Sequence, residues 1–164
     1  MGSVWQQISA TFVAEFSDLK DVGEITTLII RLLMAALLGG ILGFEREQRG
    51  KAAGIKTHML VAIGAALFVL IPQRAGLSDA ELSRVMQGII AGIGFLGAGA
   101  ILKGNNEQDL KGLTTAAGIW LTAAIGVAAG LGREASAILC TLLALVILLI
   151  TPKLVGLLDV KEKQ

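Results

Sequence analysis

Tyrosine is absent from this sequence, cysteine occurs once, and only 16% of the 164 residues are charged. A soluble domain of this size carries about 25% charged residues. The lone Cys140 excludes an intramolecular disulfide and a cysteine-rich metal site. The formal net charge of +1 gives no support for a nucleic-acid partner. No Ser-His-Asp arrangement, carboxylate pair or metal-spaced histidine cluster is visible, so we expect neither an enzyme, nor a cofactor, nor a metal site.

Apolar residues and glycine are present in excess. Hydrophobic residues make up 54% of the chain, and the mean hydropathy is +0.75. The 21 glycines are nearly twice the usual share of about 7%. Five apolar runs approach the ~20 residues that cross a bilayer as a helix: Ile25–Phe44, Ile55–Ile71, Val85–Leu102, Leu113–Leu131 and Ala135–Ile150. The sequence therefore predicts an all-α membrane protein with about five transmembrane helices.

The segment 1–22 differs from these runs, because its apolar residues recur at spacings of three and four. This spacing predicts an amphipathic helix in the membrane interface, with an ordinary packing helix as the alternative. The first twenty residues lack the basic leader and the apolar core that are typical of a secretory signal peptide. We expect three regions: this helix, a transmembrane domain over 25–150, and a short cytoplasmic tail over 151–164.

Basic residues predict the orientation in the membrane. An outside N-terminus places nine lysines and arginines in the inner loops and the tail, against four on the outer side. We therefore expect a bacterial inner-membrane protein with a cytoplasmic C-terminus.

Glycine spacing predicts close helix contacts. Gly92, Gly94 and Gly97 spell GxGxxG, but the motif lies inside an apolar run that a phosphate could not reach, so we reject a dinucleotide site. Small-xxx-small steps let helix backbones approach closely. The predicted helix-packing residues are Gly39, Gly43, Gly88, Gly92, Gly94, Gly97 and Gly99. Alternatively, the many glycines break the third span near Gly92–Gly99, as in helices that line ion sites.

The charged residues within and just after the first span allow more than one interpretation. Arg31 either snorkels to the outer surface or faces the bundle interior. Glu45 and Arg46 close the span, where Glu45–Arg49 and Glu47–Lys51 have the favourable i, i+4 order for ion pairs. Arg31 and Glu45 also share one helix face. That face could line a polar path, although a solvated extension with ion pairs is favoured slightly.

The other polar residues of the spans need partners in lipid. Gln87 requires one within the membrane. Thr114 and Thr115 open the fourth span beside Lys111, where they either cap the helix or help to hold an anion, and capping is favoured. Trp120 lies in the middle of its span, so we expect its indole N–H to find an interior acceptor.

Four segments resemble the MgtC/SapB family of bacterial membrane proteins. They are Gly43–Glu47, Ala53–His58, Gln87–Gly99, and Lys111–Ala117 followed by Trp120. The resemblance covers roughly residues 25–150 and implies about five spans. We expect a short member without the C-terminal ACT-like domain of many relatives. The polar residues that the resemblance marks are Arg31, Glu45, Arg46, Thr57, Gln87, Thr114, Thr115 and Trp120.

The resemblance also implies a function in growth at low magnesium, virulence and membrane energetics. We expect a regulatory protein that contacts other inner-membrane proteins through glycine-rich helix faces. The alternative is a small ion transporter or channel that uses a broken third helix. Both hypotheses predict a homo-oligomer, most simply a dimer, because five short spans enclose little interior.

Overall fold

The computed structural model describes residues 3–15, 17, 21–103 and 110–162. Six helices and one two-stranded ladder follow along the chain: α1 (Val4–Glu15), α2 (Val22–Gln48), α3 (Ile55–Arg74), α4 (Asp79–Gly99), β1 (Leu102–Lys103), β2 (Leu110–Lys111), α5 (Leu113–Gly130) and α6 (Glu134–Glu162). Residues 1–30 and 31–164 form two compact units. The packing described below is that of the second unit.

The five predicted spans are confirmed as α2 to α6, each long and apolar enough to cross a membrane. The N-terminal segment is also helical over Val4–Glu15. Its position in the membrane interface stays a prediction, and part of the predicted 1–22 segment lies outside the described residues.

Helix α4 begins six residues before the apolar run that predicted it. Ser78 accepts a hydrogen bond from the backbone N–H of Glu81, whose carboxylate accepts one from the Ser78 N–H at 2.8 Å. This capping box sets the helix start at Asp79. The helix then continues through all its glycines to Gly99, so the alternative of a break near Gly92–Gly99 is wrong.

Small residues let α3 pack closely between α2 and α5. A Cβ atom placed on Gly39 of α2 would lie 2.9 Å from the Cβ of Ala62 in α3. A Cβ placed on Gly126 of α5 would lie 2.9 Å from the Cα of the same alanine. Since Ala62 is fully buried, three helix backbones converge around it. Dispersion contacts of this kind hold helices together where lipid removes the hydrophobic driving force.

The connection between α5 and α6 is tight. Gly132 takes a left-handed conformation (φ +73°) between α5 and α6, which glycine adopts without steric cost. The connection between α4 and α5 contains an antiparallel ladder in which Leu102 pairs with Lys111. Residues 104–109 of this connection lie outside the described residues.

Candidate functional site

Arg31 joins three helices at one end of the bundle. Its guanidinium donates hydrogen bonds to the side-chain oxygen of Gln73 in α3 and to the carbonyl of Gly130 in α5, each at 2.9 Å. The carbonyl belongs to the C-terminus of α5, where a cation is favoured by the helix dipole. Of the two interpretations, the structure therefore supports an arginine that faces the bundle.

The face of α2 between Arg31 and Glu45 is apolar. Ala35, Leu38 and Leu42 are all buried on it. These side chains separate the two charged residues, so the polar path is wrong. The favoured interpretation, a solvated extension with ion pairs, is correct for the Glu45–Arg49 pair. Glu45 and Arg46 themselves are buried and not solvated.

Glu45 is the centre of a buried ion-pair cluster at the opposite end. One carboxylate oxygen contacts the guanidinium of Arg46, and the other accepts a hydrogen bond from Nε of Arg49 at 2.6 Å. Glu45 and Arg46 are 8% and 3% exposed. Burial of the pair makes the loss of either partner costly, because the other charge would remain desolvated.

The predicted Glu47–Lys51 ion pair is wrong. The carboxylate of Glu47 instead accepts a hydrogen bond from the backbone N–H of Ile55 at 2.9 Å. Ile55 is the first residue of α3, whose N-cap Gly54 has no side chain to satisfy the free N–H groups. Glu47 therefore caps α3 across the loop, and this use of its carboxylate replaces the ion pair.

His58 contributes a buried nitrogen that no described residue satisfies. Its Nδ1 lies 3.0 Å from the carbonyl of Gly54, which can only accept, so Nδ1 carries the proton. Nε2 then carries the lone pair, and it is buried without a partner in the described chain. A Cβ atom on Gly118 would lie 3.5 Å from this nitrogen.

A basic cavity of two chambers lies beside these residues. The outer chamber, about 590 Å³, is lined by Arg46, Arg49, Lys51 and Thr114, with residues of α6. The inner chamber, about 180 Å³, is lined by His58, Gly118 and mainly apolar side chains. Arg46, Thr114, Ile147 and Leu148 line both chambers. The two chambers therefore lie side by side.

The threonines at the start of α5 do not cap it. The N-cap is Gly112, in a left-handed conformation (φ 94°), and no side chain of residues 3–103 or 110–162 that the structure describes bonds to the first turn there. The favoured capping interpretation is thus wrong. Thr114 faces the basic cavity, whereas Thr115 is buried and lines a second groove with Thr57 and Gly99.

Two polar residues of the spans point outward. Trp120 is 48% exposed, so the expectation of an interior acceptor for its indole is wrong. Gln87 is also exposed and makes no side-chain hydrogen bond to the described residues. In a bilayer, an exposed amide of this kind requires a partner from another molecule or the headgroup region.

The glycines of α4 differ from those of α2 and α5. Gly97 contacts Ala116 of α5 at ordinary distance, because a Cβ there would lie 3.6 Å from the Ala116 Cβ. Nothing in the described chain lies within 4 Å of the Cβ position at Gly88, Gly92, Gly94 or Gly99. Their predicted packing role is therefore not fulfilled within the described chain.

An apolar groove runs along the open side of α4. We name it the α3–α4 groove, a space of about 560 Å³ between these helices. Gly64 of α3 and Gly88 and Gly92 of α4 form part of its floor, with Leu60, Phe68 and Ile89 among the other lining residues. The predicted site residues thus do not form one centre. They divide between Arg31 at one end, the basic cavity at the other, and the outer surface of α4.

Sequence reasoning missed His58 as a site residue. A single histidine near a span end is ordinarily an interface residue. The informative signal lies in α2, where Gly39 and Gly43 occur one turn apart. A Cβ placed on Gly43 would lie 3.0 Å from the Cβ of His58. Close helix approach at this step therefore buries the histidine.

Comparison with known proteins identifies relatives of the chain. The sequence profile of the MgtC family matches residues 32–157. YhiD of Escherichia coli strain K12, which is named as a candidate magnesium transporter, is 42% identical over 128 residues, covering 73% of this chain and 58% of YhiD.

Two further relatives match the same region. Protein SrpB of Synechococcus elongatus is 45% identical over 121 residues, covering 67% of this chain and 66% of SrpB. Protein MgtC of Salmonella typhimurium strain 14028s is 43% identical over 117 residues, covering 71% of this chain and 49% of MgtC. The chain thus spans about half to two thirds of the length of these relatives. No solved structure matches it.

Proposed function

The chain belongs to the MgtC family and is a multi-pass membrane protein. From that premise we propose that it regulates ion homeostasis or membrane energetics under magnesium limitation by binding a transmembrane helix of another inner-membrane protein in the α3–α4 groove. The proposal is of a binding protein rather than an enzyme. It includes an outside N-terminus and a cytoplasmic C-terminus.

The open glycine step of α4 is the observation that carries this proposal. The steps Gly39–Gly43 in α2 and Gly126–Gly130 in α5 each lie against the backbone of α3. The step Gly88–Gly92 has the same spacing and no helix against it in the described chain. Such steps stabilise a membrane protein only when a helix occupies them, while each glycine weakens its own helix by up to ~1 kcal/mol.

The lining of the groove and the position of Gln87 indicate the chemistry of the occupant. The groove is apolar along its length, which suits a helix with an apolar surface and small residues. Gln87 adjoins Gly88 and is exposed. A polar side chain on the bound helix would satisfy its amide, and hydrogen bonds of this type contribute about 0.6–2 kcal/mol in membranes.

A functional comparison of two glycine variants tests the proposal. Gly92 lines the groove, whereas Gly94 is equally open but does not line it. In a strain that lacks its own copy, Gly92→Leu should abolish support of growth at limiting magnesium, and Gly94→Leu should retain it. Equal growth with both variants, at equal amounts of protein in the membrane, would overturn the proposal.

The alternative function is a small ion transporter, which the name of the Escherichia coli relative favours. The arrangement of the described residues gives it less support. Helix α4 is unbroken, and apolar side chains separate Arg31 from Glu45. Purified protein in liposomes distinguishes the two. Magnesium flux that Glu45→Gln reduces would favour the transporter, and absence of flux favours the regulator.

The proposal includes self-association only through the α3–α4 groove. A second copy could occupy the same groove, because small-xxx-small steps are self-complementary. If Gly92→Leu dissociates the dimers, the occupant of the groove is a second copy of the chain and not another protein. Dimers that persist in this variant would leave the groove to another protein.

A further inference from the structure

The basic cavity carries a second inference, which is independent of the α3–α4 groove. We propose that the cavity binds a glycerophosphate group, with the phosphate in the outer chamber and a glycerol hydroxyl hydrogen-bonded to Nε2 of His58.

The outer chamber has an excess of positive charge. Arg46, Arg49 and Lys51 line it, and Glu45 is the one carboxylate that pairs with them among the described residues. Glu45 contacts Nε and Nη2 of Arg46, which leaves Nη1 without a described partner. A free guanidinium N–H group can donate a charge-assisted hydrogen bond to a phosphate oxygen.

The N-terminus of α5 adds to this positive potential. Thr114 in its first turn lines both chambers, and among the described residues no side chain caps the free N–H groups. Uncapped N–H groups and the helix dipole favour an anion at this place. A helix of 18 residues has a fully developed dipole.

His58 indicates that the ligand has a hydrogen-bond donor as well as a negative charge. Its Nε2 is an acceptor, since Nδ1 donates to Gly54. The residue is 1% exposed, and Nε2 is the one buried side-chain nitrogen or oxygen without a partner in the described chain. A bare phosphodiester has no donor for this lone pair. A ligand that satisfies both chambers therefore combines a phosphate with a hydroxyl group.

The size and lining of the inner chamber suit a glycerol group. About 180 Å³ is well above the ~10–15 Å³ that a single water molecule requires, so the chamber accommodates a three-carbon polyol. The chamber walls are carbon atoms of residues such as Leu42, Ala117 and Leu121. A glycerol backbone can contact these walls while one hydroxyl reaches His58.

The location favours a lipid as the source of this group. The cavity lies where α2 ends and α5 begins. We expect the ends of membrane spans to lie where headgroups meet the apolar core. Ile147 and Leu148 of α6 line the cavity beside Thr151. An acyl chain can follow the exposed apolar surface of α6 from there. Phosphatidylglycerol has this combination, and free glycerol 3-phosphate has the same headgroup without the chains.

Lipid binding to the full chain in a non-ionic detergent, measured by native mass spectrometry, tests the proposal. Phosphatidylethanol is the matched probe, because it has the same charge and chains but no headgroup hydroxyl. We expect phosphatidylglycerol to bind about tenfold more tightly, the effect of one hydrogen bond to a buried acceptor. Competition by glycerol 3-phosphate would assign the site to the free compound, and lack of competition would assign it to the lipid.

Variants separate the two chambers. His58→Leu should abolish the preference for phosphatidylglycerol over phosphatidylethanol, and His58→Gln, which retains an acceptor, should retain part of it. Lys51→Gln should weaken the binding of both lipids. Lys56→Gln is its control, because Lys56 lies at the same end of the bundle but does not line the cavity.

Two results would overturn the proposal. The first is equal binding of phosphatidylglycerol and phosphatidylethanol to the unmodified chain, a comparison that requires no variant to fold. The second is an equal effect of Lys51→Gln and Lys56→Gln, which would mean that the cations act only through general surface charge.

Discussion

Gly126 of α5 lies directly against the backbone of Ala62 in α3, so closely that a Cβ atom there would be 2.9 Å from the Ala62 Cα. Gly88 of α4 has the same residue type in the same secondary structure, but nothing lies within 4 Å of its Cβ position. The small-residue step at Gly126 is thus occupied by another helix of the chain, whereas the step at Gly88 is open.

This difference predicts opposite effects of one substitution. Gly126→Ala should lower the free energy of unfolding by about 1–3 kcal/mol, because α3 and α5 must move apart. Gly88→Ala should raise it by about 0.4–1 kcal/mol, because alanine restricts the unfolded chain and favours the helix. Thermal unfolding in detergent measures both variants. A stabilising Gly126→Ala would contradict the close approach of α3 and α5.

The hydrogen bond from Arg31 to Gln73 predicts an energetic coupling between α2 and α3. Hydrogen bonds to charged groups contribute about 1.5–3 kcal/mol, and this one is partly buried. Arg31→Met and Gln73→Leu should each destabilise the chain, and the double variant should lose less than the sum of the two. A double-mutant cycle measures this coupling. Strict additivity would show that the two side chains act independently.

The carboxylate of Glu47 predicts a capping contribution to α3. Glu47→Ala should cost about 0.5–2 kcal/mol of stability, because the N–H of Ile55 loses its acceptor. Lys51→Ala should change stability by less than ~0.5 kcal/mol, since Lys51 does not pair with Glu47 in the structure. Chemical unfolding of both variants is the measurement. Equal losses would instead support the ion pair that the i, i+4 spacing predicts.

The buried pair of Glu45 and Arg46 predicts a larger effect. Glu45→Ala leaves the guanidinium of Arg46 buried without its partner, and breaking a buried pair in this way costs about 3–5 kcal/mol. Substitution of the exposed Lys56 with alanine is the control and should be nearly neutral. If the unfolding temperature of Glu45→Ala equals that of the unmodified chain, the guanidinium of Arg46 must reach solvent in the variant.

Length and hydropathy were sufficient to predict the five spans, because a bilayer requires about twenty apolar residues whatever the protein is. The start of α4 could also be predicted, since Ser78 and Glu81 have capping-box spacing. A helix cap of this kind depends on residues that are close in the sequence and not on the rest of the fold.

The directions of side chains could not be predicted in the same way. Both the bundle interior and the lipid are apolar, so hydrophobic periodicity does not tell the inner face of a membrane helix from the outer one. For this reason the sequence predicts an interior Trp120 and does not indicate the burial of His58. The open glycines of α4 have the same explanation, because spacing predicts a close contact but not which molecule supplies it.

The central claim is that the α3–α4 groove holds a transmembrane helix of another protein, and photo-cross-linking in intact membranes tests it most directly. A benzoyl-phenylalanine replaces either Phe68, which lines the groove, or Phe44, which is exposed on α2 and does not line it. We predict that position 68 forms an adduct with one other membrane protein and that position 44 forms adducts with lipid alone. Adducts with lipid alone, or with a second copy of the chain alone, from position 68 would contradict the account.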